Sequence, residues 1–299
     1  MNKSHHLAPI LQALLVTFLW STSFIIIKWG LSEIHPITYA GLRYSLAFLC
    51  FIPFLFKQKY AQEIKALTAQ QWQKLILLGI VFYAFAQGMM FLGLSLLPAV
   101  TVSLLLNFSP LLVAGMGIKL LDERPNRLQW IGAFVFILGA IYYFFPVSLM
   151  ESQGLGLLAM LIAIIANSSS SILGRDVNRD KKISPLVVTS ISMGIGAFLL
   201  LLIGVSMTGI PTMSSQNWLF LLWLAVINTA FAFTLWNHTL RSLSAMESSI
   251  INNTMLIQIA ILGWFFLDEK ISTQEGIGLT IAALGAVLVQ LKNGKNKDA

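Results

Sequence analysis

Ten apolar runs follow one another along the chain, at 7–27, 37–56, 75–97, 100–118, 128–145, 155–173, 186–207, 218–237, 248–267 and 277–291. Crossing the core of a bilayer takes about 20 apolar residues, and these runs hold roughly 15–23 each. The last is short, and Glu275-Gly276 extends it at the interface. Lipid offers no water to a bare amide or carbonyl, so each run must pair its own backbone and is read as a helix. Only 10% of the 299 residues are charged, whereas a soluble domain carries about 25%. Lipid is therefore the solvent. The first run follows Lys3 in the manner of a signal peptide. It lacks a small-residue cleavage site at a sensible place and nine more runs follow, so we expect a retained helix.

The basic residues set the orientation. With the N-terminus in the cytoplasm, sixteen of nineteen fall on the cytoplasmic side, in groups around Lys3, Lys57 to Lys74, Lys119 to Arg127, Arg175 to Lys182, Arg241 and Lys292 to Lys297. The outer side receives Lys28 and Lys270, and Arg43 lies inside a span. Such a bias predicts two cytoplasmic termini. It also disposes of the net charge of +7 as a nucleic-acid signal, since the charges sit in short loops between apolar spans.

The chain repeats itself at an offset of 146 positions. Leu121-Asp122-Glu123, Gly132 and Leu138-Gly139-Ala140 match Leu267-Asp268-Glu269, Gly278 and Leu284-Gly285-Ala286 without a gap. Ser103, Asn107, Ala114 and Gly117 likewise match Ser249, Asn253, Ala260 and Gly263. Each copy holds five spans, an odd number, so the second copy enters the membrane from the opposite side. The expected fold is all-α: a polytopic membrane protein of ten transmembrane helices in two inverted five-helix repeats. Residues 7–146 form the first, residues 154–291 the second, and 1–6 and 292–299 are cytoplasmic tails. Two oppositely inserted copies of one shape can exchange conformations and so face alternate compartments, with a binding site near the midplane.

Local signals fit that frame. Thr68 to Gln71, Asn126 to Gln129, Ser244 to Glu247 and Ser272 to Glu275 read as capping boxes, so Glu247 has a structural task before any coupling role. The basic stretch 57–74 reads as a surface helix or the start of span three. Glycines at 115, 117, 132, 139, 194, 196, 276, 278 and 285 read as places of close helix packing, which in lipid supplies what the hydrophobic effect cannot. None follows a strand or precedes Lys-Ser or Lys-Thr, so they make no phosphate loop.

The pattern resembles the drug/metabolite transporter superfamily in its ten-span branch with paired EamA domains. The residues that carry the likeness are Trp20-Ser-Thr-Ser-Phe24 with Lys28, Arg43-Tyr44, Pro110, Leu121-Asp122-Glu123, Gln129-Trp-Ile-Gly132 with Gly139, and Leu267-Asp268-Glu269 with Gly278 and Gly285. Leu256 stands where the second repeat usually carries the counterpart of Pro110, which puts the kink of span nine in question. The resemblance implies movement of small metabolites across a bacterial inner membrane and fixes neither substrate nor direction.

Seven residues are candidates for substrate binding, five of them with a plainer alternative. Arg43 is the one full charge well inside a span, where a centred arginine costs about 2.5–3.5 kcal/mol. It pairs with a substrate carboxylate or an outer gate, or else snorkels or bonds freed carbonyls. Pro110 interrupts the helix ladder and frees the carbonyl of Leu106, beside Asn107 and its repeat mate Asn253. These two are the best pair for substrate hydrogen bonds, against plain interhelical packing. Gln87 and Asn228 lie mid-span. Trp20 and Tyr83 offer flat walls for an apolar substrate or serve as core. His238 is a candidate for proton coupling or a polar rim at the inner end of span eight.

Several function classes recede. The histidines His5, His6, His35 and His238 are scattered, with no carboxylate spacing suited to zinc, and Cys50 stands alone. We expect no metal, no cofactor and no enzyme. A channel usually closes a pore by oligomerising, which a single-chain inverted repeat does not need. No Asp or Glu lies in the central part of a span, so an exporter running down its substrate gradient, or only loosely coupled to protons, is the leading reading. Uptake by the same fold is its rival. The expected partners are a small-molecule substrate, the lipid bilayer and a second copy of the chain as a homodimer, but no nucleic acid.

Overall fold

A computed structural model of the chain describes residues 3–120, 126–145, 151–179, 183–239, 242–243 and 245–290. Every regular element in them is helical: α1 (Lys3–Gly30), α2 (Pro36–Leu55), α3 (Gln58–Lys65), α4 (Ala69–Leu78), a π-segment π1 (Gly79–Gln87), α5 (Gly88–Leu96), α6 (Ala99–Leu106), α7 (Ser109–Leu120), α8 (Arg127–Phe144), α9 (Glu151–Arg179), α10 (Pro185–Thr208), α11 (Ser215–Ala225), a second π-segment π2 (Val226–Phe231), α12 (Ala232–Thr239), α13 (Ala245–Phe266) and α14 (Thr273–Gln290). Eight stretches of these residues are long and apolar enough to cross a membrane. Two shorter apolar helices, Ile250–Phe266 and Thr273–Val289, bring the spans to ten. The chain is a polytopic all-α membrane protein. Its surface fits that solvent: on α8, Trp130, Phe134, Ile137 and Ile141 are exposed while Gly132, Phe136, Gly139 and Tyr143 are buried.

Local readings from the sequence find their structures. Stretch 57–74 holds both the surface helix α3 and the start of α4. The capping boxes at Thr68 and Asn126 are formed, and Ser272 exchanges bonds with Glu275 in the same way. Leu121 to Glu123, Ser244 and the Glu247 side chain lie outside the described residues. Pro110 has the expected effect, since the helix stops at Leu106 and restarts at Ser109. Span nine has no such break: α13 runs continuously past Leu256, which is buried against Val100, Leu104 and Leu279.

Two compact units, each drawn from both halves of the sequence, make up the chain. The first comprises Met1–Ile25, Pro98–Gln153 and Ala232–Ala299. Its centre is the pairing of α8 with α14. A side chain added at Gly132 would strike the backbone of Val289, at Gly139 that of Ala282, at Gly285 that of Phe136 and at Gly278 that of Tyr143. Each step toward the C-terminus along α8 is thus a step toward the N-terminus along α14, and the helices are antiparallel. The 146-residue offset also carries the Gly132–Val289 contact onto Tyr143–Gly278, and Gly139–Ala282 onto Phe136–Gly285. The fifth spans of the two repeats therefore meet about a pseudo-twofold, as inverted copies must. Small residues let the backbones approach where lipid supplies no hydrophobic drive.

The Leu267-Asp268-Glu269 motif is structural here. Asp268 takes a left-handed φ of 53°, which turns the chain beyond α13. The Glu269 carboxylate then accepts from the amides of Ala99 at 2.7 Å and Val100 at 3.3 Å. Those are the first donors of α6, preceded by Pro98, which has no side-chain acceptor.

The second unit comprises Ile26–Leu97 and Gly154–Phe231. Glycines again set the spacing: a Cβ at Gly41 would stand 2.7 Å from the amide nitrogen of Leu201, and one at Gly79 would stand 2.6 Å from the carbonyl of Ser192. Polar ties hold the unit at its ends. Glu63 accepts from the Ser184 amide, Lys74 pairs with Asp176 at 2.6 Å, and Glu33 accepts from the Ser214 amide at 3.0 Å.

Candidate functional site

The richest polar cluster within the apolar spans lies in the second unit, around α2. Arg43 sits seven residues past Pro36, about 10 Å along the helix axis at 1.5 Å per residue. It is only 4% exposed. Its Nε donates to the Thr229 hydroxyl at 3.1 Å. That hydroxyl passes its own proton to the Leu224 carbonyl, five residues back, at 2.7 Å. An α-helix would place a partner four residues back, and the widened turn of π2 makes this longer reach possible. The guanidinium also lies over two aromatic faces, 5.4 Å from the Tyr44 ring and 5.9 Å from that of Phe91. Such contacts partly offset the loss of water around a cation.

Tyr44, the next residue, points at the other π-segment. Its hydroxyl donates to Gln87 Oε1 at 2.7 Å, and its ring meets Tyr83 edge-on at 5.3 Å. The two π-segments occupy the same place in the two repeats. The offset maps Gly79–Gln87 onto residues 225–233, and Ala84-Phe85-Ala86 onto Ala230-Phe231-Ala232. Arg43-Tyr44 therefore reaches one π-segment of each repeat. Single-turn π-bulges inside helices recur at functional sites.

Four of the seven substrate-binding candidates, Arg43, Tyr83, Gln87 and Asn228, are brought together here, with Asn228 fully buried beside Thr229. Sequence reasoning missed Thr229, which the repeat register singles out as the mate of Tyr83. It named Tyr44 only as part of a family motif.

The other three candidates belong to the first unit. Asn107 ends α6 and spends its side-chain amide on the Ser103 carbonyl at 2.8 Å. Asn253 is buried on α13. Trp20 packs against Phe233 and Trp236 with ring centroids 5.2 and 5.3 Å apart. The next residue, Ser21, donates to Gln258 Oε1 at 2.8 Å, and the Gln258 amide donates to Thr17 and Thr254. Gln258 is thereby satisfied and ties α1 to α13, a role that a lone mid-span glutamine could have signalled. His238 is exposed in the last turn of α12.

At the ends of two spans, a cleft of about 430 Å³ is lined by Lys28, Trp29, Glu33, Gln216 and Asn217. Hydrogen bonds from the Ser214 amide, and then from the Asn217 side chain, hold the Glu33 carboxyl below the usual carboxylate range. Glu33 serves as a tie to the start of α11.

Buried polar groups threaded through apolar membrane-crossing helices, in two halves of one inverted design, define a membrane transporter. The profile of the EamA-like transporter family matches residues 7–145 and again 154–291. The chain belongs to that family, within the drug/metabolite transporter superfamily. It is 21% identical over 277 residues to the uncharacterized transporter YoaV of Bacillus subtilis, covering 90% of this chain and 92% of that one. It is 24% identical over 305 residues to an uncharacterized transporter of Archaeoglobus fulgidus, covering 98% and 99%. A protein of known crystal structure shares the fold with a TM-score of 0.67, at 17% identity over 94% of this chain and 97% of that one.

Proposed function

We propose that this transporter is a secondary carrier exporting small amino-acid-like or amphipathic metabolites across a bacterial inner membrane by alternating access, with both termini cytoplasmic. The observation that carries the reading is the Arg43–Tyr44 cluster. A guanidinium, a glutamine and a threonine are built into apolar spans, at a cost that a purely structural helix pair avoids by using apolar side chains. The inverted repeat supports alternating access, because two copies of one shape can exchange roles. Export rather than uptake rests on the lack of a mid-span carboxylate for drawing on the proton gradient. Uptake is the rival direction, since alternating access runs both ways. Assembly as a homodimer belongs to the same proposal.

Efflux from proteoliposomes loaded with radiolabelled amino acids, nucleosides and sugars, with and without a pH gradient, tests it. We expect saturable efflux of at least one amino-acid-like solute that persists when the pH gradient is collapsed. Complete arrest on collapse refutes the uncoupled reading. Asn107→Ala and Asn253→Ala should raise the half-saturating concentration in a folded protein; normal transport by both removes them from the site. A reporter fused after Ala299 should report the cytoplasm.

A further inference from the structure

We infer that the Arg43 cluster is an anion seat, and that the solute carried bears a carboxylate on an apolar or aromatic body; this deepens the proposed carrier function and rests on the cluster being its substrate site. The inference follows from which hydrogen-bonding groups the cluster has already used. Thr229 gives its proton to Leu224 and offers its lone pair to Arg43 Nε. Tyr44 gives its proton to Gln87 Oε1. The donors that make no hydrogen bond there are the two terminal Nη groups of Arg43 and the Nε2 amide of Gln87, both on side chains that contact Tyr44.

Free donors, several of them on a cation, suit a group that only accepts, and an ionised carboxylate is such a group. Arginine's planar fork matches its two oxygens in a bidentate pair. A cationic solute would meet like charge.

The charge balance points the same way. No carboxylate of the described residues stands within pairing distance of Arg43, and the ion pair that is formed in this unit, Lys74 with Asp176, lies at an exposed end. Arg43, 4% exposed as a residue and in contact with a hydroxyl and two ring faces, is a buried cation that a carboxylate from outside the protein would neutralise. Tyr44, Tyr83 and Phe91 supply aromatic surface beside it, which suits an apolar body behind the carboxylate.

The test compares solutes of one shape and different charge. Proteoliposomes are loaded with radiolabelled N-acetyl-L-leucine and N-acetyl-L-phenylalanine, their neutral carboxamides, and the cationic L-leucinamide and L-phenylalaninamide. We expect saturable efflux of the carboxylates and little of the amides or cations. Arg43→Gln should lower carboxylate efflux about tenfold or more, the loss of one charge-assisted pair, and abolish the preference for carboxylate over amide. Gln87→Leu leaves Arg43 in place and should weaken carboxylate efflux severalfold, so the inference stays testable if Arg43→Gln fails to fold. Efflux of amides or cations as fast as carboxylates, or of no solute in the panel, overturns the anion assignment. Transport that continues unchanged in both variants removes the cluster as the substrate site.

Discussion

Replacing Gly139 by alanine should destabilise the protein, although the same change elsewhere in its helices should stabilise it. Glycine costs a helix interior about 0.8–1 kcal/mol relative to alanine, so the substitution begins with a gain of that size. At Gly139 the new Cβ would collide with the Ala282 amide and stand 2.8 Å from the Gly278 carbonyl and 2.9 Å from the Ala282 Cα. Apolar atoms rest at about 3.5–4.0 Å, so α8 and α14 would have to part by roughly 1 Å. Forced overpacking costs about 1–3 kcal/mol, and parting these helices also loosens the contacts at Gly132, Gly278 and Gly285. We expect a net loss of up to about 2 kcal/mol, from the difference of these terms. Gly115 and Gly276 have open space where a Cβ would go, and alanine there should gain up to about 1 kcal/mol. Thermal unfolding in detergent, with the surviving fraction read by size-exclusion chromatography, separates the cases by a midpoint shift of opposite sign. The pair Gly139→Ala with Gly285→Ala should cost less than the sum of its parts, because the first change already moves the helices apart. An unchanged or raised midpoint for Gly139→Ala, or equal losses at Gly115 and Gly139, would refute the packing argument.

Glu269→Ala should cost about 0.5–2 kcal/mol, the worth of a helix N-cap, because it strips the amides of Ala99 and Val100 of their acceptor. Glu269→Gln, which keeps an acceptor oxygen, should cost less, and equal midpoints for the two variants would exclude capping as its role. The tie between Glu33 and the start of α11 should depend on pH. Its carboxyl is held below the ordinary value by the Ser214 amide and then by Asn217, so its contribution is present above the unfolded pKa and is lost as the pH falls through the lower folded one. Amide exchange at Ser214 should quicken in that acid range relative to neighbouring amides, and Glu33→Gln should abolish the transition.

The spans, the repeat and its inversion were legible because lipid imposes a coarse rule on every residue of a span, and because five crossings are odd. The glycine pattern was legible for a related reason: a backbone contact tolerates one side chain only, so it leaves the same letter at 132, 139, 278 and 285. Gly115 and Gly276 show the limit, since both carry that letter and touch nothing. The π-segments left no such trace. A turn that bonds five residues back has the same apolar composition as one that bonds four back, so span three and span eight read as ordinary helices. Thr229 was hidden with them, as a threonine in an apolar run is unremarkable until π2 turns it toward Arg43.

The two repeats have kept their glycines where the backbones of α8 and α14 meet and changed their letters where side chains meet along the π-segments. Along the π-segments the offset leaves Ala84-Phe85-Ala86 matched by Ala230-Phe231-Ala232, yet sets Phe82 against Asn228, Tyr83 against Thr229 and Gln87 against Phe233. Under the proposed alternating access, a pseudo-twofold asks equal shapes of the two copies, and the equal glycines of α8 and α14 fit that demand. A small solute has no twofold of its own, and a carboxylate with an apolar tail has two unlike ends. A seat for it gains from unlike copies: a polar partner for Arg43 from the second repeat, and one for Tyr44 from the first. On the proposed function, divergence at the π-segments and at Arg43-Tyr44, which the offset sets against Thr189-Ser190, suits a symmetric carrier of an asymmetric solute. Restoring the symmetry by Thr229→Tyr should therefore damage transport more than it damages the fold.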